Sequence, residues 1–381
     1  MLEPRIATAL GAYKRSKLTL CSIGSHSALE VAYGARRRGL RSLIVTARGR
    51  EQTYTRYFRR RPAGDFGALG CVDRVLELET FADILRPEVQ QTLLDSAVLF
   101  VPNRSFEVYL HERFTYDEIE QGMMVPIFGN RRLLRAEERD EPGNQYALLA
   151  RAGIRHPRTF QAPAEIDRLV MVKAPHAVVG FERAFFLCSS AAEYDAQAQR
   201  LIGAGMLDEA GLKAARIEEY ALGPSVNLNF FWSPILGELE LLGTDTRRQT
   251  NLDGLRSLPP SQLEAAASIP VRMEEAGHIA ATLLESMLEK AFELGERFVA
   301  TAREAQPPGA IGPFALQCVI VAGPPKDFVV YDVSLRIPGS PGTRYTPYSA
   351  YRWGRDVSVG ERIAMEVVMA RKQKRLEEIV T

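Results

Sequence analysis

The run Leu18-Thr-Leu-Cys-Ser-Ile23 is apolar at most positions, Ser27 to Arg38 spaces its apolar residues as a helix does, and Ser42-Leu-Ile-Val-Thr46 is a second strand-like run. Strand, helix and strand in that order predict a βαβ unit. Val72 to Leu78 and Ala97 to Val101 add further strands, so residues 1–129 are expected to form an open, mostly parallel sheet with its ligand edge beyond the strand C-termini. From Asn130 the pattern changes. Charged helices run to Gly153; Leu169-Val-Met-Val-Lys173 and Arg183 to Cys188 then read as a hairpin, Ala192 to Ile202 as a helix, and Ala215-Arg-Ile-Glu-Glu-Tyr220 as a strand stopped by Gly223-Pro224. Strands over 225–233 and 237–244, a long helix over 272–305, and strands over 313–322 and 327–337 follow. The tail after Val359, rich in Arg, Lys and Glu, reads as a solvated helix. The expected organisation is α/β, with one domain over 1–129 and a second over 130–381.

Composition narrows the function classes. A chain of 381 residues holds two or three domains at roughly 150 residues each. Apolar residues at 46% and charged residues at 25% match a folded globular protein. Forty-eight Lys and Arg against 47 Asp and Glu leave a net charge of +1, which offers no global attraction to nucleic acid or to an anionic bilayer. The four cysteines include no CxxC pair, so neither a zinc knuckle nor a disulfide framework is indicated. The N-terminus Met-Leu-Glu-Pro-Arg is charged where a signal peptide is apolar, and no apolar run reaches the roughly 20 residues that span a bilayer. A cytoplasmic protein is expected, with small-molecule rather than nucleic-acid or membrane partners.

Three constellations carry chemistry. Gly24-Ser25-His26-Ser27 lies where the first strand meets the first helix. Ser27 and Glu30 have capping-box spacing, which would leave backbone N–H groups facing the sheet edge for an anion, or would simply cap the helix. No GxGxxG is present, so a dinucleotide site is not supported. The second constellation is the 313–337 hairpin. A loop at Gly323-Pro-Pro-Lys326 places Gln317 directly opposite Asp332, with Ser334 and Arg336 on the face of Asp332. Those polar residues interrupt an apolar hairpin and either face solvent or line an oxygen-ligand site suited to Mg²⁺. Third, Lys173 ends one strand, and Glu218-Glu219-Tyr220 ends another. Taken singly, Lys173 reads as an ordinary strand-end cation and the Glu pair as a polar edge; together, a strand lysine, an acidic hinge and a magnesium hairpin suit ATP.

These residues fall in seven ordered blocks: Ser22 to Leu29, Val125 to Arg135, Ile217 to Tyr220, Asn251 to Leu255, Pro308 to Gln317, Asp332 to Ile337 and Ser358 to Ala364. In them the chain resembles, nearly end to end, the archaeal formate-dependent ATP-grasp ligases that formylate aminoimidazole carboxamide ribonucleotide (AICAR) in purine synthesis. The resemblance implies a Rossmann-like pre-ATP-grasp domain followed by an ATP-grasp fold, with a lid at about 155–222. It implies formate activation as formyl phosphate, attack by the ribonucleotide amine, and a homo-oligomer. By position it makes His26 and Ser105 ribonucleotide contacts, Lys173, Glu218, Glu219 and Tyr220 ATP contacts, and Gln317 and Asp332 the magnesium pair; Ser27 and His278 are further substrate-binding candidates, and Arg336 is the candidate catalytic cation, to stabilise the acyl phosphate or to orient the carboxylate.

The departures from that family lie in the pocket. Its Gly-rich phosphate loop is here Pro175 to Phe186 with the single glycine Gly180, and its helix lysine is Ala147. Asn103, Arg104, Gln249, His278 and Leu284 also replace family residues. Three readings follow: the family's own ligase, an ATP-grasp ligase joining another carboxylate and amine, or a non-catalytic nucleotide-binding paralogue.

Overall fold

A computed structural model describes residues 2–138, 141–174, 185–266, 269, 272 and 274–381. Thr19–Ile23 (β1), helix Ala28–Arg37 (α1), Arg41–Ala47 (β2), Arg74–Leu78 (β3) and Val98–Phe100 (β4) build the first layer. The strands run parallel in the order β3-β2-β1-β4. All five residues of β1 are buried, because helices cover both faces of a parallel sheet, and this is why the strand reads as a continuous apolar run. Helix Arg104–His111 (α2) leaves the end of β4, capped by the Asn103 side chain.

The capping box expected at Ser27 does not form. Ser27 sits in the left-handed region at φ 64°, makes no side-chain cap, and its hydroxyl donates to the Pro338 carbonyl at 2.7 Å. Glu30 instead accepts the Val359 N–H at 3.0 Å, capping a helix far away in the chain.

After Gln145–Arg151 (α3), Thr159–Phe160 (β5), Val170–Lys173 (β6), Phe185–Cys188 (β7) and Arg216–Glu219 (β8) form an antiparallel sheet, β5-β8-β6-β7, with helix Ala191–Gly203 (α4) before β8. The sparse-glycine loop read at 175–186 lies, up to residue 184, outside the described residues. Ser225–Ser233 (β9), Glu238–Gln249 (β10), Glu275–Ala280 (β11), Gly312–Val321 (β12) and Asp327–Ser334 (β13) make the third sheet, ordered β11-β10-β9-β12-β13 and antiparallel. Helix Leu288–Ala305 (α5) buries Ala291, Leu294, Phe298 and Ala302 against Leu228, Phe230, Phe314 and Leu316 on one face of this sheet. The period of two turns Asn227, Asn229 and Gln317 to the other face.

Two expectations are corrected here. Residues 272–305 are not one helix: Glu275–Ala280 is the edge strand β11, paired with Arg247 and Arg248 and containing Gly277 at φ 151°, and the helix begins at Leu288. The stretch is rich in helix formers, and cross-strand pairing overrides that propensity. The tail helix Val359–Gln373 (α6) is buried rather than solvated, with Arg362 and Glu366 at 0% exposure. Its charges are matched by Glu240 on β10. Helix α6 crosses α1 at Gly34 and Gly360: a Cβ added to Gly34 would stand 2.0 Å from the Gly360 oxygen, and one on Gly360 2.0 Å from the Glu30 oxygen. A shared core of Leu20, Val31, Phe128, Phe231, Ile363 and Val367 ties α1, α6 and the third sheet together.

Candidate active site

The polar face of the third sheet carries one row across four strands: Asp245 on β10 opposes Asn227 on β9, Asn227 opposes Gln317 on β12, and Gln317 opposes Asp332 on β13. The predicted pairing of Gln317 with Asp332 is therefore present. Its route differs, since Val321 already pairs with Asp327 and a bulge beside Gln317 restores the register. Asn227 and Asn229 donate to the two oxygens of buried Asp245 at 2.8 and 2.6 Å. Gln317 donates to Ser334 at 3.1 Å, while Gln317 Oε1 and Asn229 Oδ1 are buried with no hydrogen-bond partner among the described residues. An unmatched buried acceptor costs about 1–3 kcal/mol. An oxygen acceptor left open beside a carboxylate is the donor set of a hard divalent cation such as Mg²⁺, which takes few protein ligands and completes its shell with phosphate and water. The residues thus fit the ion. Among the described residues no group of three or more His, Cys, Asp or Glu is arranged to hold a metal.

Arg336 lies two residues past the end of β13. Its guanidinium donates to Glu137 Oε2 at 2.9 Å, and the Leu335 N–H donates to Glu137 Oε1 at 2.5 Å. Glu137 was not visible as a site residue in the sequence, yet it fixes the orientation of Arg336. Buried Glu107 on α2 faces the same pair; burial, then the charge of Glu137, pushes its carboxyl well above the ordinary range.

The third group assembles around the β1–α1 loop. Asn103 holds that loop by donating to the carbonyls of Ile23 and His26 at 2.9 and 2.8 Å. Ser105, in the first turn of α2, is buried. Burial lowers the His26 pKa; Glu275 opposes that shift, and Arg104, Arg336 and His278 add to it. His278 on β11 contacts Asp245 through Nδ1 at 2.5 Å and Glu275 through Nε2 at 2.8 Å. The chain then runs over the polar face at Gly243, where a Cβ would come within 2.6 Å of the Thr343 oxygen, so only glycine permits that approach.

His278 yields a pH prediction. Burial lowers its pKa, but hydrogen bonds to Asp245 and Glu275 outweigh this and raise it from 6.5 to about 9. A folded-state pKa above the unfolded value gives stability that is complete below pH 6.5 and lost as pH rises through 9. His278→Gln is expected to flatten the fall in urea midpoint over that window, and an unchanged slope would exclude His278 as its source.

The ATP-type group is split by the pleat. Lys173 on β6 and Glu218 on β8 meet at 2.5 Å, and Tyr146 on α3 donates to the other Glu218 oxygen at 2.8 Å. The Arg216 guanidinium lies 3.7 Å from the Tyr146 ring centre. Glu219 points to the opposite face, where it accepts the Arg158 N–H at 3.3 Å, and the Tyr220 N–H bonds the Leu169 carbonyl at 3.0 Å. The structure therefore joins Lys173 with Glu218 and does not bring the Glu219 side chain to them. Ala147 is exposed beside Tyr146. Two adjacent residues of α3 bind both sheets, since Gln145 accepts the Val333 N–H at 2.6 Å while Tyr146 reaches Glu218.

Of the residues that sequence reading missed, Asn227 and Asn229 had a signal, two amides at strand spacing inside an apolar run. Asp245, Glu275 and Glu137 had none at short range.

Comparison with known proteins places this architecture. Two family models match, a "Protein of unknown function (DUF1246)" over residues 20–160 and a "Domain of unknown function (DUF1297)" over residues 193–381. The chain is 38% identical over 377 residues to a 5-formaminoimidazole-4-carboxamide-1-(beta)-D-ribofuranosyl 5'-monophosphate synthetase of Methanopyrus kandleri, covering 99% of this chain and 98% of that one. The crystal structure of an IMP biosynthesis protein PurP from Thermococcus kodakaraensis superposes with a TM-score of 0.70 at 28% identity, over 95% of this chain and all of that one. An ADP complex of N5-carboxyaminoimidazole ribonucleotide synthetase, at 13% identity, a TM-score of 0.54 and coverage of 86% and 72%, shares the fold. The fold is thus a Rossmann-like layer followed by an ATP-grasp unit, and the chain belongs to the 5-formaminoimidazole-4-carboxamide ribonucleotide synthetase family of ligases.

Proposed function

We propose that this ligase uses ATP and formate to formylate the amine of AICAR, through formyl phosphate. The observation that carries the reading is the polar row ending at buried Gln317 and half-buried Asp332, with an open acceptor on Gln317, and Arg336 just past the same hairpin held by Glu137. Gln317 and Asp332 would hold Mg²⁺, which when bound neutralises charge on the transferring phosphoryl group. Lys173, oriented by Glu218, takes the inner phosphates of ATP, and the strand end at Glu218 and Tyr220 takes the nucleoside, with the Glu219 side chain facing away from it. Arg336 orients the formate carboxylate and stabilises the acyl phosphate oxygens.

A formate oxygen attacks the γ-phosphorus and ADP leaves; the amine nitrogen then attacks the formyl carbon and phosphate leaves. No protein nucleophile is needed. His26, Ser27 and Ser105 bind the ribonucleotide. Burial favours neutral His26, and a neutral imidazole can accept the proton the amine loses. Family membership supports a cytoplasmic homo-oligomer, and among the described residues no helix is long and apolar enough to cross a membrane.

The test is incorporation of ¹³C-formate with Mg-ATP and AICAR. One labelled 5-formaminoimidazole-4-carboxamide ribonucleotide per ADP formed supports the reading. ADP formation that needs formate but not AICAR, and that another amine stimulates, favours a ligase with a different acceptor.

A further inference from the structure

Gly339 brings the chain close to His26, the residue proposed above to bind the ribonucleotide. The position of an added Cβ lies 3.6 Å from His26 Nδ1, 3.8 Å from Glu275 Oε1 and 3.9 Å from His278 Nε2. Three side chains from two separate elements, the β1–α1 loop and β11, thus meet around Gly339.

Their hydrogen bonding assigns the roles. Both ring nitrogens of His278 are committed to carboxylates, Nδ1 to Asp245 and Nε2 to Glu275, so an imidazolium here has no N–H left for a ligand. Asp245 is itself anchored by Asn227 and Asn229. Glu275 is gripped by His278 through one oxygen and lies 3.5 Å from Arg247 Nε through the other, yet its side chain remains 31% exposed. The result is a fixed, partly exposed carboxylate beside Gly339 and His26, backed by a relay running Asn229–Asp245–His278–Glu275. Although burial raises the Glu275 pKa, the His278 hydrogen bond and Arg247 outweigh it and bring it down to about 2. The group is ionised at neutral pH and can only accept hydrogen bonds, so its ligand must present O–H or N–H donors.

We propose that Glu275 is a further substrate-contacting residue, accepting a hydrogen bond from the hydroxyl or amine donors of the ribonucleotide, and that His278 is its positioning residue rather than a substrate contact. This rests on the AICAR reading above. It also revises the role that the sequence suggested for His278.

The test combines calorimetry of AICAR binding with steady-state kinetics on the full-length enzyme. Glu275→Gln keeps the shape and removes the charge. It is expected to raise the KM and Kd for AICAR by about 10- to 100-fold, the loss of one charge-assisted hydrogen bond, while KM for ATP and formate stays within about twofold. Glu275→Asp recovers part of the affinity, and His278→Gln moves AICAR binding in the same direction by less. The 2′-deoxy analogue distinguishes the donors: it binds wild type and Glu275→Gln alike if the 2′-hydroxyl is the donor, and loses as much as AICAR if another donor is. Normal wild-type turnover with an unchanged AICAR KM in Glu275→Gln overturns this inference alone. Absence of AICAR binding by wild type overturns the parent reading and this inference with it.

Discussion

Asp332→Asn is expected to lower formate-dependent ADP formation by on the order of 10³-fold, because metal neutralisation of a transferring phosphoryl group supplies several kcal/mol. The substitution preserves size and the backbone pairing with Gln317 and removes only the charge that would hold Mg²⁺. Folding should survive, since Asp332 is half-buried on a hairpin whose core side is carried by Phe314, Leu316 and Val333. Calorimetry of Mg-ATP separates the two explanations for a loss. Weaker magnesium-dependent binding at unchanged melting temperature places Asp332 at the metal, and unchanged binding with normal turnover removes it from the site.

Arg362→Met should cost about 3–5 kcal/mol of stability, the range for breaking a buried ion pair from one side. Arg362 is fully buried and donates to Glu240 at 2.7 Å and to Glu366 at 2.8 Å, with its guanidinium carbon 4.1 Å from the Phe231 ring centre. Ser233 completes the shell of Glu366 at 2.7 Å. Methionine would leave two carboxylates facing each other in the core that joins α6 to β10. The urea midpoint reads the loss, and Arg362→Met with Glu240→Gln and Glu366→Gln should recover most of it, because the uncompensated charge is gone. A single variant within about 1 kcal/mol of wild type would show that the cluster relaxes without its cation.

These two clusters show what local sequence carries and what it does not. β1, β2 and the hairpin β12–β13 were legible because their apolar runs and turn residues lie within a few positions; the expected pairing of Gln317 with Asp332 holds because a bulge beside Gln317, which the sequence reading did not include, offsets a one-residue difference in the turn register. The tail α6 was misread because its charges are matched by Glu240 on a different element, which no local pattern reveals. β11 was misread because its extended state comes from pairing with Arg247 and Arg248, while its own residues favour helix. In the site, Arg336 was visible on the face of Asp332, whereas its partner Glu137 was not. The Ser27–Glu30 spacing was a true signal of a cap with the wrong helix attached to it, since Glu30 serves Val359.

The central claim is that formate is activated by phosphoryl transfer before the amine attacks. Formate labelled with ¹⁸O in both oxygens tests it most directly, by mass analysis of the inorganic phosphate formed with Mg-ATP and AICAR. The account predicts one ¹⁸O in each phosphate released and one in the formyl group of the product. Product formation with unlabelled phosphate would contradict it.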